Sequence, residues 1–458
     1  MDLHIPEGIR FQCTGCANCC YGWPVPATQA DFDRITALLP QFQEDMGKGA
    51  LTPSIGSHSL FREFKQQSSS KLGAFKHTLE KRSDGKCEFL MSDNRCWLHH
   101  KFGAEAKPAM CQLFPYTFTE TPSGTYVSVS FAASGVLFNA GQLLTEQRPM
   151  LMSTFELFKR LFPNLTLDWS TCQLIDGVPL SWTDYLEIES PILNKLHLTL
   201  SAHALSAQAL ADSSRQPAAS VEPSRTQAIS GRPQPTSTAF PSEPARRYAR
   251  TDRLLKEEAR LIAQRLDRSM NLNELAKVEA RPKIVDQLVL KYFAEAYFPE
   301  DVYANNACDL DTEAFIKQLV NPPEKIPLVI TGKKLSAQEL MQYHLGDLAE
   351  ECEDLITRFI YCRLFSKLYF AAGLGGLSLI AAIHHLVLII ALLRISLKAR
   401  YKDEDTKGKD ISFVEVAESL RAIERRLTVT NFSDKSRAII EVLLSSPERM
   451  ERILSLAA

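Results

Sequence analysis

A chain of 458 residues with 45% hydrophobic and 23% charged side chains is longer than one domain and has ordinary globular composition. A fully disordered, collagen-like or small disulfide-framework protein is excluded. The 52 basic and 54 acidic residues nearly cancel, so no bulk field draws the chain to nucleic acid or to an anionic membrane, and any partner must be recognised locally.

The opening residues, MDLHIPEGIRFQC, show no basic segment followed by an apolar run. The expectation is a cytoplasmic chain whose eleven cysteines serve metal or redox chemistry rather than disulfides. Up to about residue 204 the pattern is irregular, with short strands such as TYVSVSF (125–131) between Pro- and Gly-containing turns. Such irregularity is expected where metal ligands rather than a large core organise a fold. Residues 205–246 are rich in Ser, Ala, Pro and Gln, bury too little to offset their ordering entropy, and read as a flexible linker.

From 247 to 458 the chain reads as a helical domain. DRLLKEEARLIAQRL (252–266) and KIVDQLVLKYFAEAYF (283–298) space their apolar residues near 3.6. Ser336, three residues before Glu339, is a capping-box signature at the head of one long predicted helix, 337–365. VEVAESLRAIERRL (414–427) and RAIIEVLLSSPERMERILSL (437–456) complete the set. The fold class expected is α+β: a cysteine-rich metal-binding domain over 1–204, a linker, and a mainly α-helical domain over 247–458. The uncharged run Leu368–Leu393 is long enough to cross a bilayer. His384, His385 and the cluster Gly373, Gly375 and Gly376 favour a buried core helix, split near the glycines, over a membrane span.

The strongest signal is Cys13-x2-Cys16-x2-Cys19-Cys20, followed by Cys87, Cys96 and Cys111. Two residues between thiols let a turn aim successive sulfurs at one centre, and a metal stabilises thiolates otherwise only partly ionised at neutral pH. The opening C-x2-C-x2-C is the spacing that supplies three corners of a [4Fe–4S] cluster, with the fourth thiolate from a distant point. Zinc or mononuclear iron is the alternative, supported by the pair Cys96 and His99; a metal-free set of redox thiols is the third. Adjacent Cys19 and Cys20 fit one centre poorly, because neighbouring side chains on an extended chain diverge.

The segments FQCTGCANCCYGWPV, GKCEFLMSDNRCWLHHKFG and KPAMCQLFPYTF resemble the zinc- or iron-chelating cysteine-cluster proteins of the YkgJ-like family, and among them the flagellin lysine-N-methylase type. The resemblance covers about residues 9–140. It implies ligands at Cys13, Cys16, Cys19, Cys20, Cys87, Cys96 and Cys111, and, for the methylase type, an iron–sulfur cluster and methyl transfer from S-adenosylmethionine to lysines of a protein such as flagellin. Gly22-Trp23 matches that type. Ser134 stands where the family often has a further cysteine, and Gln112 and Tyr116 stand where a basic residue is often found. The competing reading is a non-enzymatic chelating module with a helical partner-docking domain.

Other residues have weaker patterns. Gly373-Leu374-Gly375-Gly376 lacks the strand and the distant acid of a dinucleotide site and reads as close packing. His99 and His100 are ligand candidates through Cys96; His384 and His385 read as core histidines. Trp23, Trp97, Phe114 and Tyr116 flank the cysteines and suit a dry shell around a cluster, or simple packing. Asp347, Glu350, Glu351, Glu353 and Asp354 read as a solvated helix face, and Cys172, Cys308, Cys352 and Cys362 as buried small hydrophobes.

Overall fold

The computed structural model describes residues 2–22, 24–47, 60–63, 74–214, 250–266, 282–299, 312–323, 326–345, 347–373, 376–401, 411–427 and 433–457. It is α+β, with a strand-rich N-terminal region and a helical C-terminal one. In the first region Tyr116–Thr121 and Gly124–Val129 form a hairpin, and Leu3–His4 adds to it in parallel. The expected strand at 125–131 is thus present, one residue early. At the hairpin's turn Gly124 has φ +122°, and a Cβ there would lie 2.7 Å from His4 Nε2 and 2.9 Å from Asp2 O. Only glycine admits both the backbone angle and the passing N-terminal strand. A second sheet sets Phe75–Leu79 between Val25–Thr28 and Phe61–Glu63, all antiparallel.

Two apolar cores result. The smaller gathers Val25, Ile35, Phe42, Leu79, Phe89 and Trp97, with Cys87, Cys96 and Cys111 packed against it. The larger takes residues from both ends of the chain, from Ile9, Val127 and Phe131 to Phe359, Leu420 and Ile453. It therefore passes across the stretch 205–246. Arg358 donates to the carbonyls of Val136 (2.9 Å) and Leu137 (3.0 Å), Ser130 Oγ donates to Glu424 (2.9 Å), and Lys367 pairs with Glu189, both fully buried. The first ten residues of the expected linker continue the helix Trp182–Ser214, and 215–246 lies outside the described residues.

The predicted helices are found with two corrections. The single helix expected over 337–365 is two, Ala337–Gln342 and Glu350–Phe365. The capping box is as predicted: Ser336 N donates to Glu339 (2.7 Å) and Glu339 N to Ser336 Oγ (3.2 Å). Between the two pieces the sequence carries Gly346, and Glu350, Glu351 and Glu353 form a fresh acidic first turn that suits a new helix N-terminus. Likewise 437–456 divides into Asp434–Leu444 and Pro447–Ala457, because proline opens a helix readily but cannot continue one.

The uncharged run begins with turns and becomes helix only at Leu379–Arg400, where every residue but the last is buried. The helices Thr251–Leu266, Phe413–Leu427, Asp434–Leu444 and Pro447–Ala457 enclose it. Its polar side chains find partners inside the protein: His384 meets the Leu444 carbonyl, His385 Nε2 the Tyr297 hydroxyl (2.5 Å), Arg394 the Ala457 carbonyl (3.1 Å), and Lys398 the carbonyls of Leu340 and Leu456 (2.8 Å each). A helix apolar all round is explained here by neighbours on every side. Gly373 lies in the preceding turn, where a Cβ would come within 2.5 Å of Lys367 O, so its role is close packing between two helices.

Candidate metal centre

The cysteine loop is fixed at its start by backbone contact. Arg10–Phe11 pairs with Gln142–Leu143, and Gln12 then passes so close to Gly135 that a Cβ there would lie 2.1 Å from Gln12 O. The chain next crosses Gly15 (φ +64°) and Ala17 (φ +61°) into a 3-10 turn over Asn18–Cys20. That turn corrects the expectation for the paired cysteines. Curling the backbone brings Cys19 and Cys20 to the same side, with sulfurs 3.9 Å apart, where an extended chain would have separated them.

Distant thiols reach this turn through a short ladder. Cys87 N donates to Cys20 O (2.8 Å), Gly22 N to Gly85 O (2.9 Å), and Trp97 N to Phe89 O (2.7 Å), which carries Cys96 back beside Cys87. Cys111 lies in the helical turn Ala109–Leu113, whose first amide donates to Asp31 (3.1 Å), a buried carboxylate also held by Thr28 and Arg34.

The electrostatics show which thiols share a neighbourhood. Cys20 is pushed well up, first by its hydrogen bond to Cys19, then by burial and by the negative charge of Cys19, Cys87 and Cys111. Burial raises Cys87, Cys96 and Cys111, and the charge of Cys87 raises the latter two further. Cys19 moves the other way, to about 6, through the hydrogen bond from Cys20 and the cations Lys107 and Lys81. Buried thiols that disfavour one another's ionisation lose that penalty when a cation sits among them. Among the described residues no three thiol, imidazole or carboxylate groups are drawn together closely enough to hold a metal ion as they stand. The thiols thus lie within electrostatic reach of one another without closing on one point.

Cys13 and Cys16 lie on the exposed part of the loop. The Cys16 thiol donates to Ser134 Oγ (3.0 Å), which also receives Asn18 Nδ2 (3.0 Å) and Arg421 (2.9 Å). Ser134 is thus a polar anchor for this loop. Ser134, Lys81, Lys107, Arg421 and Arg425 complete the surroundings of the thiols. Sequence reasoning did not assign these roles, because the arginines lie some 400 residues downstream on a helix recognised only by its apolar period.

The other candidates divide. His99 and His100 are exposed, and His100 lies beside Arg95 (3.4 Å) rather than a thiol. Trp97 is buried against Phe42 and Phe89 and donates to Asp45 (2.9 Å). Tyr116 is buried with its ring on Phe11, while Phe114 is half-buried against the larger core. Trp23, Gly375 and Cys308 lie outside the described residues. Cys172, Cys352 and Cys362 are buried.

The site is therefore a cysteine-rich module set on a small aromatic core. Residues 12–130 match the CxxCxxCC family, described as "Putative zinc- or iron-chelating domain", which supports metal binding by this part of the chain. An uncharacterized protein of Methanocaldococcus jannaschii is 24% identical over 191 residues, covering 40% of this chain and 59% of that protein. No solved structure matches.

Proposed function

We propose that the chain binds a metal through an all-thiolate centre built from Cys19, Cys20, Cys87, Cys96 and Cys111, with Cys13 and Cys16 on its exposed side, and that the occupant is an iron–sulfur cluster. The observation that carries the reading is the shared neighbourhood of these half-buried cysteines, brought from four chain segments, with both nearby histidines turned to solvent. Soft thiolate donors without imidazole suit iron–sulfur clusters, and zinc next. A bound cluster would supply electron transfer or Lewis-acid chemistry; the chain's part is to hold the thiolates, offset their charge with Lys81 and Lys107, and back them with the aromatic core. Iron, zinc and acid-labile sulfide content of protein purified without oxygen tests this. Iron with matching sulfide is expected, whereas stoichiometric zinc without sulfide leaves a structural zinc domain.

The resemblance to flagellin lysine-N-methylases carries a narrower proposal: methyl transfer from S-adenosylmethionine to a protein lysine. Incubating the loaded protein with labelled S-adenosylmethionine and flagellin, followed by peptide mass spectrometry, tests it. Absence of transfer by an intact centre returns the function to chelation.

A further inference from the structure

Away from the thiols, a cleft of about 590 Å³ opens beside the hairpin, walled by Phe118, Phe158, Trp169 and Trp182. Small-molecule sites commonly measure about 300–1,000 Å³. The wall is held firmly from behind. Trp169 Nε1 donates to the carbonyl of Glu120 (2.8 Å), the two indole rings meet edge to face with centroids 5.1 Å apart, and the Tyr185 ring lies 5.0 Å from that of Trp182. Tyr185 is in turn stacked on Phe370 (4.3 Å) and donates to Glu189, the buried partner of Lys367. Most of the polar lining is committed within the chain: Thr121 Oγ1 donates to the Gly124 carbonyl (2.8 Å), Ser170 Oγ to Asp168 (2.6 Å) and Ser181 Oγ to Asp184 (2.6 Å). Glu120, the one ionisable residue of the lining, is paired with Lys159 (2.9 Å). The half-buried Trp182 differs: its indole N–H is closed to solvent and has no acceptor among the described residues.

We propose that this cleft binds a neutral, flat heteroaromatic ligand, which lies among the aromatic walls and offers a ring nitrogen or carbonyl to the Trp182 N–H. Aromatic faces and edges match a flat ring in specific geometries, and a rigid ring loses less freedom on binding than a flexible chain. The Glu120–Lys159 pair leaves no uncompensated charge at the rim for an ionic ligand to meet. A buried donor is paired in the great majority of native structures, and the ligand's acceptor is the partner assigned to this one. Because the walls are fixed before binding, little side-chain ordering opposes it. The site lies outside the metal reading and does not rest on it, since no cysteine lines the cleft.

The test uses the full chain and two probes: riboflavin, a neutral tricyclic ring system with carbonyl and ring-nitrogen acceptors, and benzyltrimethylammonium, a cation that aromatic walls also attract. Each is brought to equilibrium by dialysis against wild-type protein, W182A, W182F, T166W and the exposed K435Q. T166W sets a bulky ring into the cleft from an exposed position of its lining. Saturable binding of riboflavin by wild-type protein is expected, weakened about tenfold or more in W182A and T166W, a few-fold in W182F, which keeps a ring but lacks the N–H, and unchanged in K435Q. No saturable binding of riboflavin by wild-type protein, or wild-type affinity in both W182A and T166W, overturns the site. Tighter binding of benzyltrimethylammonium than of riboflavin overturns the neutral ligand. Should W182A lose helical circular dichroism, T166W and W182F decide.

Discussion

The small cysteine unit and the large helical body are stabilised by different means. In the body, the Leu379–Arg400 helix is enclosed on every side, and even its histidines and cations find internal partners. In the small unit ten buried apolar residues among those described form the core, and around them lie Cys20, Cys87, Cys96 and Cys111, which burial and neighbouring thiols hold back from ionising. The helical body is stable through removal of apolar surface from water; on the reading proposed above, the cysteine unit is completed by a cation. Met110, next to Cys111, packs against both cores, so the two are adjacent but separately built.

The comparison is broken most sharply by removing a thiol. Cys111→Ser is expected to lose most of the bound metal while far-UV circular dichroism stays near wild type, because the helical body does not depend on that ligand. Metal analysis beside the spectrum checks this, and a global loss of helix would show the two regions to be one cooperative unit. Glu189→Gln strikes the body instead. It leaves Lys367 buried without its counter-ion, at a cost of about 3–5 kcal/mol in denaturant unfolding. Leu392→Ala, in the enclosed helix, is expected to cost about 2–5 kcal/mol through the cavity left, with metal content unchanged.

The smallest effect is on pH. Burial lowers His384 to about 4 and His385 to about 3, against 6.5 for a free imidazole. Both fold as the neutral form, so their contribution is fully present above pH 6.5 and is lost as pH falls from there toward the folded values. The slope is on the order of 1 kcal/mol per pH unit for each. Unfolding free energies at pH 7 and pH 5 should therefore differ less in His385→Gln than in wild type.

Much of the body was legible in the sequence because period and capping act locally. Ser336 and Glu339 cap as their spacing requires, and the amphipathic helices lie where their apolar residues recur. The breaks near Gly346 and before Pro447 escaped because a continuous apolar period conceals a change of direction. At the site, the cysteines announced themselves by spacing. Their grouping did not, since Cys87 reaches Cys20 through backbone pairing and Arg421 reaches Ser134 from the far end of the chain. Contacts between segments so far apart leave no local periodicity to read. The apparent conflict between Cys19 and Cys20 came from assuming an extended backbone where a 3-10 turn forms.

The central claim is that half-buried cysteines from distant segments hold one iron–sulfur centre. It is tested most directly by iron and acid-labile sulfide per chain, measured without oxygen in wild type, Cys87→Ser, Cys111→Ser and the buried control Cys352→Ser. The account predicts matched iron and sulfide in wild type and Cys352→Ser, and their loss in the other two variants. Equal iron and sulfide in all four proteins, or none in wild type, would contradict it.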